Sequence, residues 1–208
     1  MHIQRDDLIP GGTKRRVLDV LLTYFDEPHI AYAGTTMGYG ALALAHACKA
    51  AGKKTEIFIC ANDDDPMVAK LREAGAIVRL EKPMPISTLH QIAQKNNFTL
   101  PYGFDMIEFD EATMEVMKDY DVSGFSEIWT CIVTGTLTRA LKKAFPDKVF
   151  KTVSVVKSTE GDYFAPEKYH QPAKNPPPYP SCPYTDAKIW QFALEHAHED
   201  ALLWNTAG

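Results

Sequence analysis

The residues best placed to do chemistry lie at the start of the chain, in Arg5-Asp6-Asp7-Leu8-Ile9-Pro10-Gly11-Gly12-Thr13-Lys14-Arg15-Arg16. Lys14 follows a Gly-Gly pair and opens an apolar-periodic run, Val17 to Phe25, that reads as a helix. Gly11 and Gly12 let the backbone pass close to a bound group. Arg15 and Arg16 raise the local positive potential, which lowers the pKa of the Lys14 amine and favours its nucleophilic form. A helix start disfavours basic side chains because the helix dipole is positive there. Three of them in a row therefore point to a task beyond starting a helix.

A second group of residues suits an anion. Glu127 to Val133 is a continuous apolar run, the pattern of a strand buried on both faces. It leads into Thr134-Gly135-Thr136-Leu137-Thr138 and a helix that runs to Phe145. Backbone N–H groups at that helix start, with the threonine hydroxyls, match a phosphate monoester. The loop Ala33-Gly34-Thr35-Thr36-Met37-Gly38-Tyr39-Gly40 joins another strand to a helix, and its threonines and N–H groups can also hold an anion. Tyr39, Tyr102, Tyr163 and Tyr184 are candidate cofactor or substrate contacts, and an aromatic ring can stack on a base.

These segments need a scaffold. His29 to Ala33, Thr55 to Cys60 and Ile77 to Leu80 read as strands. Ala41 to Ala51 and Pro66 to Ala74 read as the helices between them, closed by Gly52 and Gly75. That alternation predicts a parallel sheet covered by helices. Pro83 and Pro85 mark a boundary, giving a smaller lobe at about 29–85 and a larger lobe of 1–28 plus 86–208, within one unit spanning 1–208. Beyond the boundary, Ile86 to Lys95 and Glu111 to Tyr120 read as helices, with a loop-rich stretch from Asn96 to Phe109 between them. Val149 to Val156 is a strand, Ile189 to His198 a helix and Ala201 to Trp204 a last strand. Pro172 to Pro183 is too proline-rich for regular structure.

The chain has 208 residues, 45% apolar and 24% charged, which fits one globular unit or two small lobes sharing a cleft. A net charge of −5 gives no broad basic face, although Lys14-Arg15-Arg16, Lys142-Lys143 and Lys168 to Lys174 offer local contacts to nucleic acid. No apolar run approaches the roughly 20 residues that span a bilayer. Charged residues close behind Met1 are unlike a signal peptide, so a cytoplasmic location is expected. Cys48, Cys60, Cys131 and Cys182 form no CxxC pair and read as free thiols, and the histidines show no zinc-type spacing.

Taken in order, the motifs resemble those of the fold-type II pyridoxal phosphate enzymes. The likeness is greatest to the branch of the tryptophan synthase β-like family with aminocyclopropane-carboxylate deaminase and D-cysteine desulfhydrase. The RDDLIPGGTKRR run is similar to the family's cofactor-lysine segment. VTGTLTRAL looks like a reduced "GTGGT" loop, with only Gly135 left of three glycines. The loop at 33–40 is similar to "TSGNTG" or "GVQSNH", with Met37 where the family has serine and Tyr39 where it has asparagine. Tyr184-Thr185-Asp186-Ala187-Lys188 and the closing LLWNTAG resemble "YTGKA" and "HTGG".

The resemblance implies an α/β fold, a reduced tryptophan synthase β-like architecture with parallel sheets flanked by helices and two small lobes around a cofactor cleft. It implies pyridoxal 5'-phosphate held by Lys14 as a Schiff base. Thr134, Gly135, Thr136, Leu137 and Thr138 would receive its phosphate, and Tyr39 would touch the cofactor. Thr35, Thr36, Met37, Gly38, Tyr39, Tyr102 and Tyr184 would contact the substrate. Thr206 would face the ring nitrogen, and a hydroxyl there in place of a carboxylate leaves that nitrogen largely neutral and the cofactor a milder electron sink. A homodimer is implied as well, with Trp190, Phe192 and Trp204 offering an exposed apolar side.

The implied activity is that of a pyridoxal-phosphate-dependent lyase. The altered carboxylate loop favours decarboxylation, because a carboxylate released from its usual grip can present its own bond to the ring. Common family members are longer, and a shorter cleft wall between Leu80 and Glu127 suits a bulky substrate. The compact size resembles small bacteriophage enzymes of thymidine hypermodification, which decarboxylate an amino acid attached to a thymine base in DNA; the site would then be the host cytoplasm. The alternatives are a deaminase or β-eliminating lyase on a free small amino acid, similar to D-cysteine desulfhydrase, a non-catalytic pyridoxal-phosphate-binding protein, and an α/β interaction domain without cofactor.

Overall fold

Every strand ladder among the described residues is parallel, as strand–helix alternation requires. The computed structural model describes residues 1–95, 97–157 and 159–208. In chain order the elements are β1 (His2–Arg5), α1 (Gly12–Leu21), β2 (His29–Gly34), α2 (Gly40–Ala50), β3 (Lys54–Ile59), α3 (Pro66–Glu73), β4 (Ile77–Leu80) and α4 (Ile86–Gln94). They continue with β5 (Phe98–Thr99), α5 (Ile107–Met117), β6 (Glu127–Ile132), α6 (Thr136–Ala144), β7 (Val149–Ser154), β8 (Tyr163–Phe164), α7 (Trp190–His196) and β9 (Leu202–Asn205). One sheet has the order β4-β3-β2-β5, the other β1-β9-β6-β7-β8.

The smaller sheet is built on β2 and β3, whose side chains are buried almost throughout, so both faces must be covered. On one side α2, rich in alanine, lets α1 come close, and Val17, Leu18 and Leu21 of α1 join Ile30, Ile57 and the α2 alanines in one core. On the other side Leu89 and Ala93 of α4 pack on Ala31, Ala33 and Phe58. Phe98 pairs with Ile30 at the sheet's edge. The sheet therefore extends past Pro83 and Pro85 to Thr99, and α1, assigned by sequence to the larger lobe, is buried in the core of the smaller one. Backbone pairing and buried faces, rather than prolines, set the grouping. Asn96 lies outside the described residues. The rest of the stretch expected to be loop-rich holds β5, a 3-10 turn at Tyr102–Phe104 and the first turn of α5.

The larger sheet joins the two ends of the chain. His2 pairs with Leu202 and Arg5 with Asn205, which places β1 beside β9. Trp204 is fully buried against Tyr120 and Phe145, so it is core and forms no part of an exposed apolar side. Its neighbours in that expectation, Trp190 and Phe192, are half-buried and pack on the cluster of Trp129, Ile189 and Leu203. The proline-rich segment has no regular structure and acts as a strap. Asn205 Nδ2 donates to Pro180 O at 2.8 Å, and Cys182 N donates to Ala207 O at 2.8 Å. Among the described residues no helix is long and apolar enough to cross a membrane.

Candidate active site

The carboxyl ends of β2, β6 and β9 open onto one cleft, the place where parallel α/β sheets bind ligands. Lys14, third residue of α1, lines it. Its Nζ lies 5.6 Å from the centre of the Phe104 ring and, among the described residues, has no hydrogen-bond or ion-pair partner. Burial pushes the pKa of this amine down, and the weaker pull of Cys131 and Asp186 opposes it. Arg15 and Arg16 do not do this work. Arg15 pairs with Asp19 at 2.6 Å, while Arg16 lies over the Tyr120 ring, 5.0 Å from its centre, and bonds the Tyr120 hydroxyl. Successive side chains on a helix point in different directions, which takes both guanidinium groups away from Lys14.

The glycine pair divides its roles. Gly11 lines the cleft. Gly12, at φ 71°, backs onto the protein itself: a Cβ there would fall 1.8 Å from Thr206 O. The next amide, Thr13 N, donates to that same carbonyl at 2.9 Å, so the start of α1 is clamped to the end of β9.

The helix start expected to take a phosphate is formed by Gly135, left-handed at φ 84°, followed by α6. Among the described residues no side chain caps it, which leaves first-turn N–H groups for a ligand. Thr134, Gly135, Leu137 and Thr138 line the cleft. The Thr136 side chain does not: it is fully buried, its Oγ1 3.2 Å from Thr134 Oγ1. The Thr138 hydroxyl is likewise engaged, 3.1 Å from Thr130 Oγ1. Anion binding here falls chiefly to the backbone.

The loop after β2 is split between two spaces. Thr35, Gly38 and Tyr39 face the Lys14 cleft, whereas Thr36 and Met37 line an adjoining cavity of about 590 Å³. The two spaces share Gly34, Thr35, Tyr102, Val133, Thr134 and Tyr169. Cys60, Met84, Ile86, Leu89, Val156 and Thr159 also line the second, and none of its described lining residues is charged. Of the other tyrosines singled out by sequence, Tyr184 is half-buried and lines neither space, and Tyr163 is stacked on Trp129 at 5.3 Å.

Several cleft residues carried no sequence signal of function. Tyr32, read only as strand, accepts from Gly103 N at 3.1 Å, and burial raises its phenol pKa. Burial also raises that of Tyr169, beside Tyr102 and Thr35. Cys131 and Cys182, read as bland thiols, line the cleft. Asp186, which does not itself line the cleft but backs Thr206 and Cys131, is the most consequential. It is 4% exposed and accepts from the Thr206 hydroxyl, from Thr206 N at 3.2 Å and from Cys131 Sγ at 3.0 Å. Its carboxyl pKa is raised by burial against those hydrogen bonds. The only clue was its place inside a segment whose neighbours already stood out.

No family model matches the sequence, and no curated protein matches it. Solved structures do match. An ACC deaminase homologue superposes with a TM-score of 0.77 at 12% identity, over 99% of this chain and 83% of the other. The fold is that of the fold-type II pyridoxal phosphate enzymes. A threonine deaminase from T.th. gives a TM-score of 0.68 at 15% identity, over 99% of this chain and 86% of the other. The processed form of threonine deaminase isoform 2 from Solanum lycopersicum gives 0.61 at 15% identity, over 73% of this chain and 45% of the other, so this chain spans less than half of that protein. The fold-type II architecture expected from the motifs is therefore present in a chain of 208 residues. Its cleft also fits the cofactor of that fold: among the described residues, a lysine amine without a partner for an aldehyde, and a helix start without a side-chain cap for a phosphate.

Proposed function

We propose that the protein is a pyridoxal-phosphate-dependent lyase acting on an amino acid with an uncharged side chain. The observation that carries this reading is the Lys14 amine, held in the cleft without a partner among the described residues and with its pKa lowered by burial. The cofactor supplies an aldehyde that condenses with amines and a ring that accepts the electron pair of a bond at the substrate Cα. Lys14 Nζ would hold the aldehyde, and its amine is suited to carry a proton to or from the substrate Cα. The first-turn N–H groups of α6, beginning at Gly135, would receive the phosphate. Thr35 and Tyr169, which line both spaces, would receive the substrate carboxylate, and the adjoining cavity would take the side chain.

Loss of ammonia or of a β-substituent is the favoured outcome, in keeping with the deaminases among proteins of similar fold. A free amino acid is favoured over one carried on DNA, because Arg15 and Lys143 are already engaged by Asp19 and Asp110. Decarboxylation is a second reading. Thr36 and Met37 face the adjoining cavity, so Thr35 is the loop's only threonine beside Lys14, and a loosely held carboxylate can present its own bond.

The test is the near-visible absorption of the purified protein supplied with pyridoxal phosphate, before and after borohydride, with Lys14→Ala alongside. A band that borohydride bleaches and the variant lacks supports the reading. Absence of a band overturns it. Ammonia and carbon dioxide release, from free and nucleoside-linked amino acids, then separates the two outcomes.

A further inference from the structure

We infer that Asp186 is a positioning residue that turns Thr206 into a hydrogen-bond acceptor and so keeps the ring nitrogen of the bound cofactor protonated. The inference rests on the cofactor reading above.

A hydroxyl has one proton to give. Thr206 gives its proton to Asp186, leaving only lone pairs for a ligand in the cleft. Cys131 does the same, its Sγ donating to Asp186 Oδ1 at 3.0 Å. Two neighbouring groups of the cleft wall thus present acceptors. A bare pyridine nitrogen is an acceptor as well, and acceptor facing acceptor gains nothing. A pyridinium N–H donates to Thr206 and satisfies it.

Charge points the same way. Asp186 is 4% exposed and, among the described residues, has no ion-pair partner. A buried carboxylate without a cation is costly, even when it is well hydrogen-bonded. Thr206 N and the Thr206 and Cys131 side chains supply donors but no charge. Lys14 acts on Asp186 only weakly and makes no ion pair with it among the described residues, so a ligand with a protonated ring brings in a further counter-charge. The Thr206 hydroxyl alone gave the expectation of a neutral ring nitrogen and a mild electron sink. With Asp186 behind it, the same hydroxyl favours a charged ring that draws electrons strongly, as breaking a Cα–H bond demands.

The test uses the whole chain loaded with pyridoxal phosphate carrying an isotopic label at the ring nitrogen. Nitrogen NMR separates a protonated from a bare ring. The expected result is a protonated nitrogen in the wild type and a bare one in Asp186→Asn. A second measurement needs no variant: affinity for the cofactor is compared with that for the analogue bearing C–H in place of the ring nitrogen. The wild type should prefer the cofactor by roughly tenfold or more, the scale of one hydrogen bond to a charged group. A bare nitrogen in the wild type, or equal affinity for both compounds, overturns the inference and leaves the cofactor reading standing. A protonated nitrogen in Asp186→Asn also overturns it, since the carboxylate would then be only structural. Failure of both compounds to bind overturns the cofactor reading and this inference together.

Discussion

Trp204 Nε1 donates to Thr13 Oγ1 at 2.9 Å across 191 positions of sequence, and the same hydroxyl donates to Asp6 Oδ2 at 2.7 Å. One buried hydroxyl therefore ties the last strand to the segment that precedes Lys14. Thr13→Val keeps the shape and removes both bonds, stranding the indole N–H in the interior and leaving Asp6 Oδ2 only its bond from the Tyr120 hydroxyl. The expected loss is about 1–3 kcal/mol, read in denaturant unfolding. Cofactor affinity should fall too, because α1 starts from this clamp. Thr13→Ser should restore most of both. Unchanged stability in Thr13→Val would remove the clamp from the account of the site.

Gly12 and Gly135, both at positive φ, should respond differently to the same substitution. A Cβ on Gly135 meets nothing nearer than Ile132 Cγ2 at 3.8 Å, so Gly135→Ala should cost only the backbone term, about 1–2 kcal/mol. Phosphate affinity, titrated with inorganic phosphate, should fall as the amides turn. A Cβ on Gly12 would lie 1.8 Å from Thr206 O, which forces the clamp between α1 and β9 apart. Gly12→Ala should therefore destabilise more than Gly135→Ala. The reverse order in thermal unfolding would contradict the packing described here.

What could be read in the sequence was what local pattern encodes. β6, its Thr-Gly-Thr turn and α6 stand out because an apolar run ends abruptly in a glycine and a fresh helix. β2 and α2 are equally visible. β1 is not, since His-Ile-Gln-Arg has no strand pattern of its own and exists by pairing with β9. Asp186 is invisible for a related reason: its burial and its bonds to Thr206 and Cys131 are made only when β6, β9 and the proline strap assemble. The low pKa of Lys14 was expected for the wrong cause. Arg15 and Arg16 are its neighbours in sequence, but burial in the cleft is what acts on the amine.

α5 is held to α6 by a carboxylate whose behaviour with pH can be stated. Asp110 accepts from Lys143 Nζ at 2.6 Å and from Arg139 Nε at 3.1 Å. Burial alone would raise its pKa, but these two bonds override it and hold the carboxyl below its usual range. A depressed folded-state pKa stabilises above the unfolded value, near about 4, and that contribution is lost as pH falls through the folded value. Asp110→Asn should be less stable than the wild type at neutral pH, and the gap should close as pH drops below about 4. A gap independent of pH would show that the charge contributes nothing.

The adjoining cavity makes a claim about the substrate. Met37, Met84, Ile86, Leu89 and Val156 offer an incoming side chain apolar contact, and no described lining residue could neutralise a charge. Amino acids with apolar side chains should therefore have the lower KM, and acidic ones the higher, since a carboxylate would be stripped of water without a partner. Met37→Lys reverses the terms by placing an ammonium in that space. KM for the apolar substrate should rise roughly tenfold, the scale on which pocket contacts discriminate side chains. Acidic amino acids should gain by comparison, and kcat should change little because Met37 does not line the Lys14 cleft. A fall in kcat with KM unchanged would mean that the cavity does not receive the side chain and that Met37 acts on the chemistry itself.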